Sequence, residues 1–260
     1  MTAPVLYRLE ADVATLTLNR PDTLNSLDLA TIDALLAGVD RALAEQARAL
    51  VLTGSGRAFC AGADLGADSL AGVAPQDIDL GAAMRSHYNV IVERLHRLPI
   101  PVVVAVNGVA AGGGAALALA GDLTIAARSA SFRYLFIDLA LMPDMGATWQ
   151  LPRRVGQARA RGLSLLGDAL DAETAAQWGL IWQVFDDAAL PAAAQALAVR
   201  LAGKSPSALR ETRAALDAAL AVDLPAQLEQ EAAGQTRLGR EPGFLKAVTA
   251  FLARRTRKPG

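Results

Sequence analysis

Two glycine-rich segments constrain the fold more than any other feature of this sequence. They are "GSGRAFCAGADL" (54–65) and "NGVAAGGGAALA" (107–118), and each follows a short apolar run. The apolar runs, in "RALVLTGSG" and "IPVVVAVNG", are typical of buried strands, and the second loop leads into a helix-forming stretch. Short strands that alternate with helices in this way predict an α/β fold.

The flanking segments extend this pattern. "VATLTLNRP" alternates at period two and predicts a strand that stops at Pro21, and "LTIAARSASF" predicts another. A helix is expected over about 82–98, and a helix in "LDLATIDALLAGVDRALAEQ" would bury one apolar face: Leu29, Ile32, Leu35, Leu36, Val39 and Leu43. From about residue 169 onward the pattern is helical. We therefore predict a core over 1–200 and a helical region over 201–260.

Composition narrows the class of protein. The 260 residues suffice for one large domain, and a net charge of −1 gives no overall attraction to nucleic acid or an anionic membrane. The apolar runs are too short to span a membrane, and the N-terminus lacks a signal-peptide pattern. The single cysteine, Cys60, excludes an intramolecular disulfide and suits a reducing cytoplasm. Abundant alanine among 53% hydrophobic residues suggests an oligomer.

The two histidines offer no evident catalytic or metal site. His87 and His96 both fall on the predicted helix over 82–98, which also carries several arginines. Their spacing fits neither a metal site nor a catalytic triad, so we interpret them as solvated residues of a helix face. No metal is expected.

The glycine loops could bind either a phosphate or an oxyanion. Neither fits the dinucleotide pattern G-x-G-x-x-G, and no G-K-[ST] follows either of them, so nucleotide binding is disfavoured. Glycine lets a ligand approach the backbone closely, and two such loops could each offer one N–H to a carbonyl oxygen that gains negative charge. The alternative is that the glycines only permit close strand–helix packing.

The stretch "LALMPDMGATW" (139–149) contains a single carboxylate, Asp144. Pro143 and Gly146 on either side are typical of a tight turn, in which an aspartate needs no further role. The other interpretation is a proton-transfer group held in an apolar pocket. The stretch alone does not separate the two.

The loop motifs also resemble a known family. "FCAGADL" (59–65), followed by "PVVVAVNGVAAGGGAALALAGD" (101–122), is similar to the enoyl-CoA hydratase/isomerase, or crotonase, family. "LNRPDTLNSLD" (18–28) and "AVTAFLARR" (247–255) also resemble its patterns. The resemblance implies a spiral of ββα units, a C-terminal helical trimerisation region and a homotrimer or hexamer. It also implies acyl-CoA thioester substrates, with coenzyme A as part of the substrate and no separate cofactor.

The resemblance assigns roles to several residues. The backbone N–H groups of Ala63 and Gly113 would form the oxyanion hole. Phe251 and Arg254 match C-terminal positions that reach a neighbouring subunit's CoA in some members, although an amphipathic helix end would explain both. Positions near the N-terminus and in the first loop would contact CoA: Leu24, Ala61, Asp64 and Leu65.

The departures from the family pattern bear on the reaction. Family hydratases carry two glutamates that handle water, and the matching residues here are Ala116 and Phe136. Water activation needs a positioned base, so ordinary hydratase chemistry is disfavoured. Isomerase members use a carboxylate a few residues further on, which matches Asp144. Asp138 is a second candidate, because on an extended segment it would face the same side as Phe136; a cap or surface carboxylate is its alternative interpretation.

Two further segments indicate one branch of the family. "LMPDMGATWQLPR" (141–153) and "AAQWGLIWQVFDD" (175–187) resemble members that isomerise ring-1,2-epoxyphenylacetyl-CoA in phenylacetate breakdown and shift the double bond of 3-enoyl-CoA to the 2,3-position. Trp178 and Trp182 mark this resemblance and are expected in the core. Four apolar neighbours should raise the pKa of Asp144: Leu141, Met142, Met145 and Trp149.

The predicted function is therefore an acyl-CoA isomerase. Asp144 would remove a proton at one carbon and return it at another, while the two loops stabilise the enolate. Two alternatives remain open. One is a hydratase or another crotonase-type lyase that uses Asp138 and Asp144 as an acid pair. The other is a non-catalytic acyl-CoA-binding member.

Overall fold

A six-stranded sheet carries most of the core in this computed structural model, which describes residues 2–64, 74 and 77–255. In spatial order its strands are β1 (Val5–Glu10), β2 (Val13–Leu18), β3 (Ala49–Gly54), β5 (Val102–Val106), β7 (Leu123–Ala127) and β10 (Gln183–Phe185). β1 and β2 pair antiparallel, and the other neighbours pair parallel. Every residue of β5 is buried, which explains its uninterrupted apolar sequence.

A four-stranded sheet accompanies it. Its order is β4 (Ala58–Cys60), β6 (Val109–Ala111), β8 (Ser131–Arg133) and β9 (Ala169–Asp171), with only the last pair antiparallel. From β3 to β8, successive strands alternate between the two sheets, so each consecutive pair contributes one strand to each. This alternation confirms the predicted α/β class and its spiral of ββα units.

Helices connect the strand pairs. Those of the first part of the chain are α1 (Leu29–Ala44), α2 (Leu80–Ala83), α3 (Asn89–His96), α4 (Gly113–Ala118), α5 (Ala147–Leu166), α6 (Ala172–Gln177) and α7 (Leu190–Ala202). A π-helical turn, Met84–Tyr88, joins α2 to α3. The described residues also contain the 3-10 turns Pro21–Thr23, Leu135–Leu139 and Asp187–Ala189.

Helix α1 shows how the sequence fixes one of these elements. Asp28 caps it, because its carboxylate accepts a hydrogen bond of 2.7 Å from the Thr31 N–H. Ile32, Leu35 and Val39 on the predicted apolar face are buried. Of that face only Leu29, the first residue of the helix, is exposed.

The chain divides into two compact units, Met1–Ala202 and Gly203–Gly260. The second contains α8 (Pro206–Ala218), α9 (Leu224–Gly239) and α10 (Pro242–Arg255). An ion pair of 2.7 Å between Arg237 and Glu211 joins α9 to α8. The role of these helices in oligomerisation stays a prediction.

Two expectations from the sequence were wrong, and one strand was missed. The chain after residue 169 is not uniformly helical, because β9 and β10 lie there. Trp182 is not a core residue, since it is 65% exposed, whereas Trp178 packs against the core. Strand β1 was not predicted from the sequence.

No helix within residues 2–64, 74 and 77–255 combines the length and apolar character that crossing a membrane would require.

Candidate active site

The two glycine-rich loops meet through their backbones. Gly62 has a φ of +91°, a conformation that side-chain-bearing residues rarely adopt. A methyl group at Gly62 would lie 3.0 Å from the Gly113 nitrogen and 2.9 Å from the Ala111 carbonyl oxygen. Glycine is therefore required at this position by both backbone conformation and space.

Two N–H groups remain available where the loops meet. Leu27 forms a parallel bridge with Ala63: its N–H donates to the Gly62 carbonyl at 2.7 Å, and its carbonyl accepts from Asp64 at 2.9 Å. The Ala63 N–H itself points away from Leu27, because alternate backbone groups of an extended segment face opposite sides. Gly113 begins α4, and the first N–H groups of a helix have no intrahelical acceptor. Neither N–H donates to an acceptor within the described residues.

A cavity of about 250 Å³ lies against these loops. Its walls come from the first loop, the helical segment 80–88, the second loop and the segment 135–145. Most of the lining is apolar, and the residues are Ala61, Gly62, Ala63, Asp64, Leu80, Ala83, Met84, Tyr88, Gly112, Gly113, Leu135, Phe136, Leu139, Leu141, Asp144 and Met145.

Asp144 faces this cavity with its carboxylate. Its Oδ1 atom is buried and has no hydrogen-bond partner within the described part of the chain. Burial disfavours the charged form and raises the pKa of Asp144 to about 6, against a smaller opposing effect of its own backbone N–H. A carboxylate with such a pKa can both accept and return a proton near neutral pH.

The turn around Asp144 explains how the carboxylate is presented. The Ala147 N–H donates to the Asp144 carbonyl at 2.9 Å, which closes a tight turn. The two central residues, Met145 and Gly146, have φ values of 48° and 82°. The turn interpretation and the cavity interpretation of Asp144 therefore both hold, because the turn directs the acid into the cavity.

The two positions that carry glutamates in family hydratases are apolar in structure as in sequence. Phe136 is buried and lines the cavity, whereas Ala116 is fully buried in α4. Of the four neighbours expected to desolvate Asp144, only Leu141 and Met145 line the cavity. Met142 is 70% exposed, and Trp149 is also exposed, so the expectation for these two was wrong.

Asp138 lies outside the cavity lining. The segment Leu135–Leu139 is a 3-10 turn and not the extended segment we expected, so Asp138 does not share the direction of Phe136. Its exposed carboxylate pairs with Arg133 at 3.1 Å. This placement corresponds to the surface carboxylate that was its alternative interpretation.

The residues predicted to contact CoA are only partly brought together. Ala61 and Asp64 line the cavity, and the Ala61 N–H donates to the Leu24 carbonyl at 3.0 Å. Leu24 has a φ of 54° and does not line the cavity. Asp64 pairs with Arg20 at 2.9 Å, which ties the loop to the N-terminal segment. Leu65 lies outside the described residues.

The C-terminal candidates belong to the second unit. Phe251 is an exposed residue of α10. Arg254 is also in α10, and its side chain is outside the described part of the structure. Their part in CoA binding stays a prediction.

The histidines contribute nothing to the cavity. His87 is half-buried in the π turn, and the ring of His96 meets Trp149 edge-on at 5.7 Å between centroids. In the described part of the chain, no group of three histidine, cysteine or acidic side chains is placed to hold a metal ion.

Sequence reasoning missed Tyr88. This residue lines the cavity, and its hydroxyl donates to the Leu27 carbonyl at 3.0 Å. The available signal was the four-residue spacing of Leu80, Met84 and Tyr88, of which the last two fall on the predicted helix.

Comparisons with known proteins show the family to which the chain is similar. A family model described as "Enoyl-CoA hydratase/isomerase" matches residues 8–259. The chain is 47% identical over 255 residues to the 1,2-epoxyphenylacetyl-CoA isomerase of Escherichia coli (strain K12), covering 97% of this chain and 96% of the relative. It is 43% identical over 251 residues to a Rhodobacter capsulatus protein named "Probable enoyl-CoA hydratase", covering 96% and 95%. The crystal structure of an enoyl-CoA hydratase/isomerase from Cupriavidus metallidurans CH34 superposes with a TM-score of 0.88 at 30% identity, covering 98% and 95%.

Proposed function

The chain belongs to the enoyl-CoA hydratase/isomerase family, and from that premise we propose that it is an acyl-CoA isomerase whose acid–base group is Asp144. The thioester carbonyl accepts hydrogen bonds from the Ala63 and Gly113 N–H groups, which acidifies the adjacent carbon. With a 3-enoyl-CoA, Asp144 removes a proton from C2 and leaves a dienolate. The same carboxyl group then returns the proton to C4, and the double bond moves from C3–C4 to C2–C3.

One observation carries this proposal: within the described residues the buried Asp144 Oδ1 atom has no hydrogen-bond partner, and it lies in the same cavity as both loops. Its pKa of about 6 keeps the group a base at neutral pH and makes it a stronger one than an exposed aspartate. Phe136 replaces the glutamate that would activate water on this side. A single carboxylate suffices for a 1,3-proton shift if both carbons lie on one face of it.

The finer proposal concerns the acyl group. We infer that the substrate is 2-(1,2-epoxy-1,2-dihydrophenyl)acetyl-CoA in phenylacetate catabolism, with 3,2-enoyl-CoA isomerase activity in addition. Support comes from the 47% identity to the Escherichia coli isomerase and from the apolar walls of the cavity, where Leu80, Leu135 and Phe136 suit a ring better than a polar acyl chain. We further propose that the protein assembles as a trimer or as a hexamer.

Replacement of Asp144 by Asn tests the acid–base role. Asn keeps the shape and polarity of the side chain but cannot carry a proton between carbons. We expect the turnover of 3-enoyl-CoA and of the ring epoxide to fall by about 10³-fold or more, while the affinity for CoA thioesters stays nearly intact. The matched control is Asp138→Asn, an exposed carboxylate outside the cavity lining, which should retain activity within a few-fold. Activity of Asp144→Asn within a few-fold of wild type would refute the proposal.

A hydratase is the second candidate, because the Rhodobacter capsulatus relative carries that name at 43% identity. Turnover of 2-enoyl-CoA in ¹⁸O-labelled water separates the two reactions, since hydration incorporates label and isomerisation does not. The version of this candidate that uses Asp138 and Asp144 as an acid pair is weakened by the position of Asp138 outside the cavity lining. A non-catalytic acyl-CoA-binding role would be supported only if the purified protein bound the thioesters and turned none of them over.

A further inference from the structure

We propose that Tyr88 is a positioning residue, whose hydroxyl fixes the Ala63 N–H of the oxyanion hole through Leu27. The inference rests on the proposed function, because it assumes that a thioester carbonyl binds between Ala63 and Gly113. The resemblance assigns no role to Tyr88. The helical segment that carries Tyr88 supplies neither the two N–H donors nor the acid.

The contacts of Leu27 carry the argument. Leu27 is fully buried, and its two backbone hydrogen bonds reach the residues on either side of Ala63, namely Gly62 and Asp64. Displacement of Leu27 would therefore move the Ala63 peptide as well. The Leu27 carbonyl receives a second donor, the Tyr88 hydroxyl at 3.0 Å. Tyr88 thus holds Leu27 in place from the helical segment, and Leu27 in turn aligns the Ala63 segment.

The π turn explains why Tyr88 reaches Leu27. An α-helix has about 3.6 residues per turn, so positions four apart drift steadily around its surface. The Met84–Tyr88 segment instead makes an i to i+5 hydrogen bond, from the Asn89 N–H to the Met84 carbonyl. The wider turn offsets the drift, and Leu80, Met84 and Tyr88 all line the same cavity.

The environment of the hydroxyl keeps it a donor. Burial raises the pKa of Tyr88, and the nearby Asp144 carboxylate raises it further. The hydroxyl therefore stays protonated over the pH range in which Asp144 changes charge. Its ring also forms part of the cavity wall, so a test must keep the ring and remove only the oxygen.

Tyr88→Phe is that test, with Tyr7→Phe as the matched control. Tyr7 donates from the surface to Glu45 and does not line the cavity. We expect Tyr88→Phe to lower kcat for 3-enoyl-CoA about tenfold with little change in KM. A complete donor contributes a factor of roughly 10²–10³ to kcat, and a misplaced donor loses part of that factor. Thermal unfolding of both variants checks that the fold is kept.

A spectroscopic readout separates positioning from general stability. Phenylacetyl-CoA labelled with ¹³C at the thioester carbonyl has no double bond to move, and polarisation of its carbonyl shifts the NMR signal downfield on binding. We expect a clear shift with wild type and Tyr7→Phe and a smaller shift with Tyr88→Phe. An unchanged shift in Tyr88→Phe, or a displaced acid limb of its pH–rate profile with the shift retained, would overturn the inference. No shift with wild type would instead contradict the proposed function.

Discussion

Replacement of Asp144 by Asn should make the folded protein more stable while it removes activity. The wild-type carboxylate is held charged in a poorly solvated position, which raises its pKa from 3.8 to about 6. This difference means that the charged carboxylate lowers the free energy of unfolding by about 3 kcal/mol at neutral pH. The amide of Asn would be left without a partner at the same place, which costs about 1–2 kcal/mol. The net gain in stability should therefore be about 1–2 kcal/mol.

The gain should depend on pH in a defined direction. Between pH 3.8 and about 6 the folded protein binds a proton at Asp144 that the unfolded chain does not. The stability of wild type therefore falls as the pH rises through this window, and the full penalty is present above it. Asp144→Asn lacks the titration, so its advantage should be complete near neutral pH, shrink as the pH falls through this window and become a deficit of about 1–2 kcal/mol below pH 3.8.

Thermal or urea unfolding at fixed protein concentration measures this effect. A gain of 1–2 kcal/mol corresponds to a rise in melting temperature of roughly 2–8 °C for a domain of this size. Asp138→Asn serves as the control, because an exposed ion pair contributes about 0–1 kcal/mol and should give no gain. A variant Asp144→Asn that is no more stable than wild type near pH 8, or a gain that persists unchanged into acid, would refute the desolvation argument.

Three further predictions follow from the site. The value of kcat/KM for isomerisation should fall about tenfold per pH unit below an apparent pKa near 6, as Asp144 becomes protonated; a profile that stays flat to about pH 5 would exclude Asp144 as the base. Gly62→Ala should lower kcat by at least about 10²-fold, because its methyl group would press on the Gly113 nitrogen at 3.0 Å; wild-type kinetics would show that the loops do not polarise the substrate. Gly114→Ala should prevent folding or cost more than about 3 kcal/mol, because its methyl group would lie 2.1 Å from the Cys60 carbonyl oxygen; circular dichroism and unfolding would show whether the variant folds normally.

The sequence predicted those elements whose periodicity is set by burial. Strands β3 and β5 lie in the middle of the large sheet, so their continuous apolar runs are distinctive. β1 was missed because it is an edge strand, with Arg8 and Glu10 among its exposed residues. β9 and β10 contain three residues each, which is too short for any periodicity to show.

The candidate site was predictable where local chemistry sufficed. The glycine loops and Asp144 were found from motif and position, because glycine and a lone carboxylate are conspicuous in apolar surroundings. The direction of Asp138 could not be predicted, because a 3-10 turn redirects its side chain and period-two reasoning has no means to foresee such a turn. Tyr88 was missed because its contact depends on a π turn, which adds one residue per turn without any sequence mark.

The use of main-chain donors in the proposed oxyanion site has a consequence for how this protein could change. Ala63 and Gly113 contribute N–H groups that every residue except proline possesses, so few single-codon changes can delete one of these donors. The acid, in contrast, depends on one side chain and is lost in a single step. Mutation can therefore replace the acid while the two N–H donors stay in place. Among related chains, the reaction catalysed should diverge sooner than the recognition of thioesters.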